Sequence, residues 1–372
     1  RGPRARLRPA GPPRLPARRV DPPRRGEPRL PEARRAPGSL HPPPVLLWGG
    51  EEKDLRLRWR GAGGGGGRAG AAGMGAAGAA RRGALEYCAG AVRGADAGAF
   101  ICAAVLEPGA RARALAARAF AGEAARAALG GRQPTLALMR LQWWRDAVGR
   151  AARGDAPDQP VARAIGELYA EAAAAGRRAP NKGWLLRVLQ AREGEVRGEG
   201  TWASLEALER HAEATEGSLL LFTLEASGIV DRNCDHAASH LGTALGLCRN
   251  LRGTAEQLQA QRLCLPADLC EKHGVEAEAL YRGDLRDGFL EIVWEVASQA
   301  KLHLDEARRF SADMPAAARP LFLPAVPAEL YLDVLERHNF NPFATALLAD
   351  DRGVSGLTMG GHVAWHRLRG SY

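Results

Sequence analysis

Apolar residues recur at steps of three and four along most of residues 84–310, which is the period of an amphipathic α-helix. The pattern is clearest in four segments: residues 134–153, 205–228, 237–253 and 289–310. Stretches that alternate like a strand are few, and alanine is abundant where β-branched residues are sparse. The pattern therefore predicts one all-α domain.

The segment 134–153 sets out a helical face in detail. Its apolar stripe contains Leu136, Met139, Trp143, Ala147 and Val148. This spacing predicts that Trp143 is buried in the core. Trp144 lies about 100° further around the helix, on a flank shared with Arg140. Such a pair can hold a phosphate or a carboxylate, or it can be a surface cation on an aromatic ring.

Glycine and proline mark where the other helices end. Gly228 is predicted to be the C′ residue of the second segment, and Gly253 is predicted to end the third. Prolines thicken beyond about Met314, and one more helix is expected over residues 328–338. Residues 341–372 are glycine-rich towards their end and support no firm prediction.

The first 83 residues differ in composition from the rest of the chain. They carry 19 Lys and Arg against 6 Asp and Glu, a charge of +13, whereas the whole 372-residue chain carries +10. The basic balance therefore belongs to this segment, and a nucleic-acid partner loses its main support. Because it is rich in Pro and Gly, we expect residues 1–83 to be a disordered tail, arginine-rich and acid-poor like a degenerate mitochondrial targeting region. The glycine run at residues 62–67 lacks the ending of a phosphate-binding loop.

Six cysteines contain no CxxC pair, so we expect buried, reduced thiols. No uninterrupted apolar run reaches the length of a membrane-spanning helix, and any membrane association is expected to be peripheral. His236 and His240 share a helix face at zinc-ligand spacing, but no third ligand is visible and a solvated or hydrogen-bonded face is the default expectation. No catalytic nucleophile setting is found, and no cofactor is expected.

Several blocks, in order and spacing, resemble the squalene/phytoene synthase family. They are RLQWWRDAV (140–148), YAEAAAAGR (169–177), HAEATEGSLLLFTLEASGI (211–229), HLGTALGLCRNLRGTAEQLQAQRLCLPADLCEKHGV (240–275) and ASQAKLHLDEARR (297–309). The resemblance covers residues 84–340. It implies an isoprenoid-synthase-like single helical domain.

In that family, aspartates on two facing helices carry the Mg²⁺ ions that bind substrate diphosphates. The resemblance places the second pair at Gly253 and Gln257, with Leu251, Arg252 and a closing Leu-Pro in register. It places the first pair at Ala125 and Leu129. Magnesium requires hard oxygen ligands, so these four degenerate positions imply no metal site and no catalytic residue. Acids survive nearby only as Glu123 and Glu256.

Within that family the blocks look most like its mitochondrial branch, and this resemblance implies a non-enzymatic role. The expected function is assembly of respiratory complex I from the matrix side of the inner membrane, with complex I subunits or assembly intermediates as partners. One alternative is a prenyl or lipid transferase with non-standard metal ligands; another is a lipid-binding module that uses the old substrate cavity. A vestigial ligand pocket is expected to contain Arg140, Trp144, Arg252 and Glu256.

Overall fold

The computed structural model describes residues 72–129, 133–199, 202–283, 287–348 and 354–372, which form one compact unit. This part of the chain is α-helical and contains no strand, as predicted. Its α-helices are α1 (Ala72–Ala95), α2 (Ala97–Ala104), α3 (Pro108–Ala128), α4 (Pro134–Ala151), α5 (Pro160–Ala174), α6 (Gly183–Gly194), α7 (Leu205–Ala212), α8 (Ser218–Ala226), α9 (Arg232–Gln259), α10 (Ala267–Lys272), α11 (Ala277–Tyr281), α12 (Asp287–Arg309), α13 (Ala325–Arg337), α14 (Thr345–Leu348) and α15 (Gly356–Arg369).

Two helices lie in segments for which the sequence predicted no helix. Helix α1 begins at Ala72, inside the stretch assigned to the tail, and α15 lies in the C-terminal segment that gave no prediction. The rest of the tail, including the glycine run at residues 62–67, lies outside the described residues.

Local sequence explains several helix ends. The side chains of Asp96, Ser204 and Asp231 each accept a hydrogen bond from a backbone N–H in the first turn of the helix that follows. At the other end of the α7–α8 segment, Gly228 has φ +77°, so the predicted C′ glycine is confirmed.

Helix α9 runs through the larger of two core regions, between α12, α7 and α8. On α12, the predicted face is buried at Ile292, Val293, Val296 and Leu304. The second core region is formed by α1, α3, α4, α5 and α6 around Phe120. The 3.6-residue period therefore placed most buried positions correctly.

Small residues bring α9 close to the chain that joins α7 to α8. That joint is one π-helical turn, Glu213–Gly217. A Cβ atom added to Gly242 would lie 2.2 Å from the Cα of Gly217, and one added to Gly246 would lie 2.3 Å from the Cβ of Ala212. The two backbones are therefore in direct contact, and side chains of the π turn face α9.

Two expectations about helices were wrong. Trp143 was predicted to be buried, but it is 44% exposed and its neighbour Trp144 only 5%. The stripe of α4 that faces the core lies one residue further along the chain and contains Ala137, Leu141, Trp144, Val148 and Ala151. Both stripes have helical period, and Trp144 is the one that meets Phe120, with ring centroids 5.6 Å apart and planes at 87°. Helix α9 also continues past Gly253 to Gln259, because Gly253 does not adopt the positive φ that would end a helix there.

All six cysteines are buried and free, as predicted. Among the described helices, none combines the length and apolarity that crossing a bilayer requires.

Candidate functional site

Four charged side chains from four elements meet at the side of α9. Arg118 of α3 forms an ion pair with Glu216 of the π turn. Arg249 of α9 lies with its Nε 3.0 Å from Glu216 Oε1 and with an Nη 3.0 Å from Asp96 Oδ2. We call Asp96, Arg118, Glu216 and Arg249 the charge cluster; in it, Arg249 bridges the two carboxylates.

The backbone positions each member of the charge cluster. Asp96 is held as the N-cap of α2, where its Oδ1 accepts a hydrogen bond from the N–H of Ala99 at 2.9 Å. Glu216 is directed inward by the π turn, an extra-residue insertion that re-aims side chains along a helix. The glycine contacts between this turn and α9 then bring Glu216 within reach of Arg249.

The electrostatics of the cluster favour the fully charged state. Burial alone would raise the pKa of Asp96, but the charges of Arg249 and Arg118 and the Ala99 N–H outweigh it and hold that pKa at about 2. Burial likewise raises the pKa of Glu216, and the two arginines lower it by more, so the net shift is downward. Both carboxylates are therefore ionised at neutral pH and matched by the two guanidinium groups.

A cavity adjoins Arg118. It lies between α2, α3, α8 and the 3₁₀ turn Arg319–Phe322, and its walls are mostly alanine, leucine and proline side chains. About 40 Å³ is open to the centres of water molecules, which is room for a few waters rather than for a hydrocarbon chain.

The four positions that the family resemblance assigns to the aspartate motifs lie on α3, at its C-terminus and on α9, the helices that also carry Arg118 and Arg249. Leu129 caps the C-terminus of α3 and is 63% exposed, and Ala125 is half-buried. On α9, Gly253 and Gln257 are half-buried one turn apart, and a Cβ at Gly253 would lie 3.0 Å from the Gln257 amide nitrogen. The acid next to the first pair, Glu123, is held by Arg126 and by the Tyr87 hydroxyl.

The four residues of the expected ligand pocket do not share one pocket. Arg140 and Glu256 are exposed, while Trp144 is packed in the second core region. Arg252 lies beside the larger core region. Its guanidinium donates a hydrogen bond to the Pro327 carbonyl at 3.1 Å and lies 4.5 Å from the centre of the Tyr331 ring.

The donor set does not fit magnesium. None of the four motif positions supplies a carboxylate. Of the acids beside them, Glu123 is paired with Arg126 and Glu256 is exposed. Asp96 and Glu216 of the charge cluster are paired with arginines. Mg²⁺ needs several hard oxygen ligands in an octahedral shell, and a guanidinium repels it. Within the described ranges, no group of three or more His, Cys, Asp or Glu side chains is arranged to hold a metal ion.

The predicted histidine face makes internal contacts. His240 Nδ1 lies 2.9 Å from His303 Nδ1, and His236 stacks on Phe310 with centroids 5.8 Å apart. Burial, followed by the charge of His303, lowers the pKa of His240. This arrangement holds α9 against α12.

Sequence reasoning missed the whole charge cluster. A signal was available for its two arginines: Arg118 precedes Ala125 by seven residues and Arg249 precedes Gly253 by four, so each lies on the helix face of a degenerate motif position. Charged residues one or two helical turns from those positions were therefore the available signal.

This helical architecture is the isoprenoid synthase fold: a squalene synthase from Alicyclobacillus acidocaldarius aligns with a TM-score of 0.60 and 20% identity, over 71% of this chain and 97% of that one. The chain belongs to the squalene/phytoene synthase family, whose pattern matches residues 92–358. It is 36% identical over 261 residues to the Mus musculus protein named NADH dehydrogenase (ubiquinone) complex I, assembly factor 6, covering 70% of this chain and 76% of the relative. The Bos taurus protein of the same name is 36% identical over 305 residues, covering 82% and 87%.

Proposed function

We propose that this chain is a mitochondrial assembly factor for respiratory complex I that keeps the synthase fold without prenyl-transfer chemistry. The name shared by the mouse and cattle relatives supports the assembly role. The charge cluster supports the absence of catalysis. The partners of this chain are complex I subunits or assembly intermediates at the matrix side of the inner membrane, and not nucleic acid.

The absence of prenyl-transfer chemistry is supported by the ion pairs of Arg249 with Glu216 and Asp96. Prenyl transfer in this family depends on Mg²⁺ bridging carboxylates to a diphosphate. In this chain the resemblance assigns the ligand positions to Gly253, Gln257, Ala125 and Leu129, and a positive guanidinium lies one turn before Gly253. Magnesium would have to displace the arginines from Asp96 and Glu216 to use those two carboxylates.

The catalytic half is tested with the purified full chain, farnesyl or geranylgeranyl diphosphate and Mg²⁺. We expect no condensation product above a protein-free control, with an active phytoene synthase as the positive control. Turnover that depends on the protein would contradict the proposal and would favour the transferase alternative.

The assembly half is tested in cells depleted of the chain. We expect native gels of mitochondrial membranes to show less assembled complex I, other respiratory complexes near normal, and recovery on re-expression. Unchanged complex I after depletion would show that the assembly role is wrong.

The lipid-binding alternative has less support. The cavity beside Arg118 has space for a few waters, so a lipid tail would have to open the packing around α2 and α3. Native mass spectrometry of the purified chain tests it: we expect no lipid adduct of constant mass, and such an adduct would restore this alternative.

A further inference from the structure

Helix α15 presents three large apolar side chains to solvent. Leu357 is 91% exposed, Trp365 54% and Leu368 83%. Steps of eight and three residues place the three side chains on one face of a helix about 21 Å long. In the described part of the chain, Leu357 and Leu368 are the most exposed large apolar side chains. An apolar face of this kind marks an interaction site.

The opposite face of α15 is firmly anchored. Val363 is fully buried, and Met359 packs against the larger core region. Beyond the helix, the Tyr372 hydroxyl donates to the Ala307 carbonyl at 2.9 Å, and Arg308 Nε donates to the Tyr372 carbonyl at 2.9 Å. The apolar face is therefore held outward by the fold.

The charge of α15 is entirely positive. Its sequence, GLTMGGHVAWHRLR, contains two arginines, two histidines and no acid. The Arg369 guanidinium lies 4.3 Å from the centre of the Trp365 ring, so a cation and an indole share the exposed face. Two carboxylates from other elements lie near the helix: Glu107, 3.7 Å from Arg367, and Glu329, whose charge acts on His366. Exposed Leu and Trp with flanking arginine is the composition of helices that lie in the headgroup region of a bilayer.

We propose that α15 docks this protein on an anionic phospholipid surface, with Leu357, Trp365 and Leu368 at the acyl boundary and Arg369 at the phosphates. The proposal rests on the proposed function and names the element that contacts the membrane. Three apolar side chains on one helix are too few for a standard protein interface, which buries about 800 Å² on each partner. A bilayer needs no complementary surface, and its negative headgroups match an acid-free helix.

The test is co-sedimentation of the full chain with vesicles of phosphatidylcholine plus cardiolipin, and of phosphatidylcholine alone. We expect binding to the first, weaker binding to the second, and a loss of binding at high salt. Leu357→Ser combined with Leu368→Ser should weaken binding at least about tenfold, since burial in the interface scales with apolar area. Arg369→Gln should weaken binding to the cardiolipin vesicles only.

Met139→Ser is the matched control, because Met139 is also apolar and 64% exposed but lies on α4. It should bind as wild type does. Equal loss in Met139→Ser and in the α15 variant, or failure of the wild-type chain to bind, would overturn the proposal. A wild-type dimer in light scattering that the α15 variant converts to a monomer would also overturn it, by assigning the face to a second copy.

Rescue of depleted cells separates this inference from the function on which it rests. We expect wild type and Met139→Ser to restore complex I and the α15 double variant, at equal abundance, to restore less. Full rescue by the double variant would refute membrane docking by α15 while leaving the assembly role intact. No rescue by wild type would refute the assembly role itself, and vesicle binding would still be judged separately.

Discussion

Arg249 Nε lies 3.0 Å from Glu216 Oε1, so an ion pair joins α9 to the π turn between α7 and α8. Glu216 is buried and also pairs with Arg118 of α3. Three chain segments distant in sequence therefore depend on one carboxylate.

Removing the charge of Glu216 should destabilise the fold strongly. Glu216→Gln leaves Arg118 part-buried without its counter-charge, and breaking such a pair costs about 3 to 5 kcal/mol. The control is Glu206→Gln, whose exposed pair with Arg210 should contribute no more than about 1 kcal/mol. Urea unfolding of both variants measures the difference, and equal losses would mean that the charge cluster is not a structural centre.

Asp96 should make stability depend on acid pH. Its pKa falls from an ordinary 3.8 to about 2 in the fold, so its contribution is complete above about pH 4 and is lost as pH falls towards 2. Asn caps a helix about as well as Asp, so Asp96→Asn isolates the charge and should cost about 2 kcal/mol at neutral pH. The deficit should vanish between pH 4 and pH 2.

Acid titrations followed by circular dichroism measure the Asp96 effect. Asp158→Asn is the control, because Asp158 is largely exposed and pairs with Arg163 at the surface. A deficit in Asp96→Asn that is the same at every pH would show that the cap or the packing, not the charge, is responsible.

The two adjacent tryptophans of α4 should differ in their effect on stability. Trp144→Ala opens a cavity against Phe120 and should cost about 3 to 5 kcal/mol. Trp143→Ala removes a half-exposed ring and should cost about 1 kcal/mol or less. Thermal melts of the purified variants compare them, and a larger shift for Trp143 would favour the stripe expected from sequence.

Two glycines of α9 should respond to alanine with opposite signs. Gly253→Ala should stabilise by about 0.5 to 1 kcal/mol, since the new Cβ meets only the flexible amide end of Gln257. Gly246→Ala should destabilise by about 1 to 3 kcal/mol, because its Cβ would lie 2.3 Å from that of Ala212. Chemical denaturation measures the stability of both variants. Stabilisation by both substitutions would contradict the close contact between α7 and α9.

The sequence by itself determined the helical class and much of the core. On α12, a single apolar stripe fits the period, so Ile292, Val293 and Val296 were placed without knowing their partners. Gly228 was recognisable as a C′ residue because few other residues adopt its positive φ.

Tertiary structure decided what local patterns leave open. On α4, two stripes one residue apart both have helical period, and only the position of Phe120 selects Trp144. The charge cluster joins Asp96, Arg118, Glu216 and Arg249 across more than a hundred residues, and no periodicity links such distant positions. Helix α15 contains three glycines that weaken its intrinsic propensity, and burial of Val363 on the core stabilises it. Each of these features depends on contacts between distant segments, which exist only once the chain has folded.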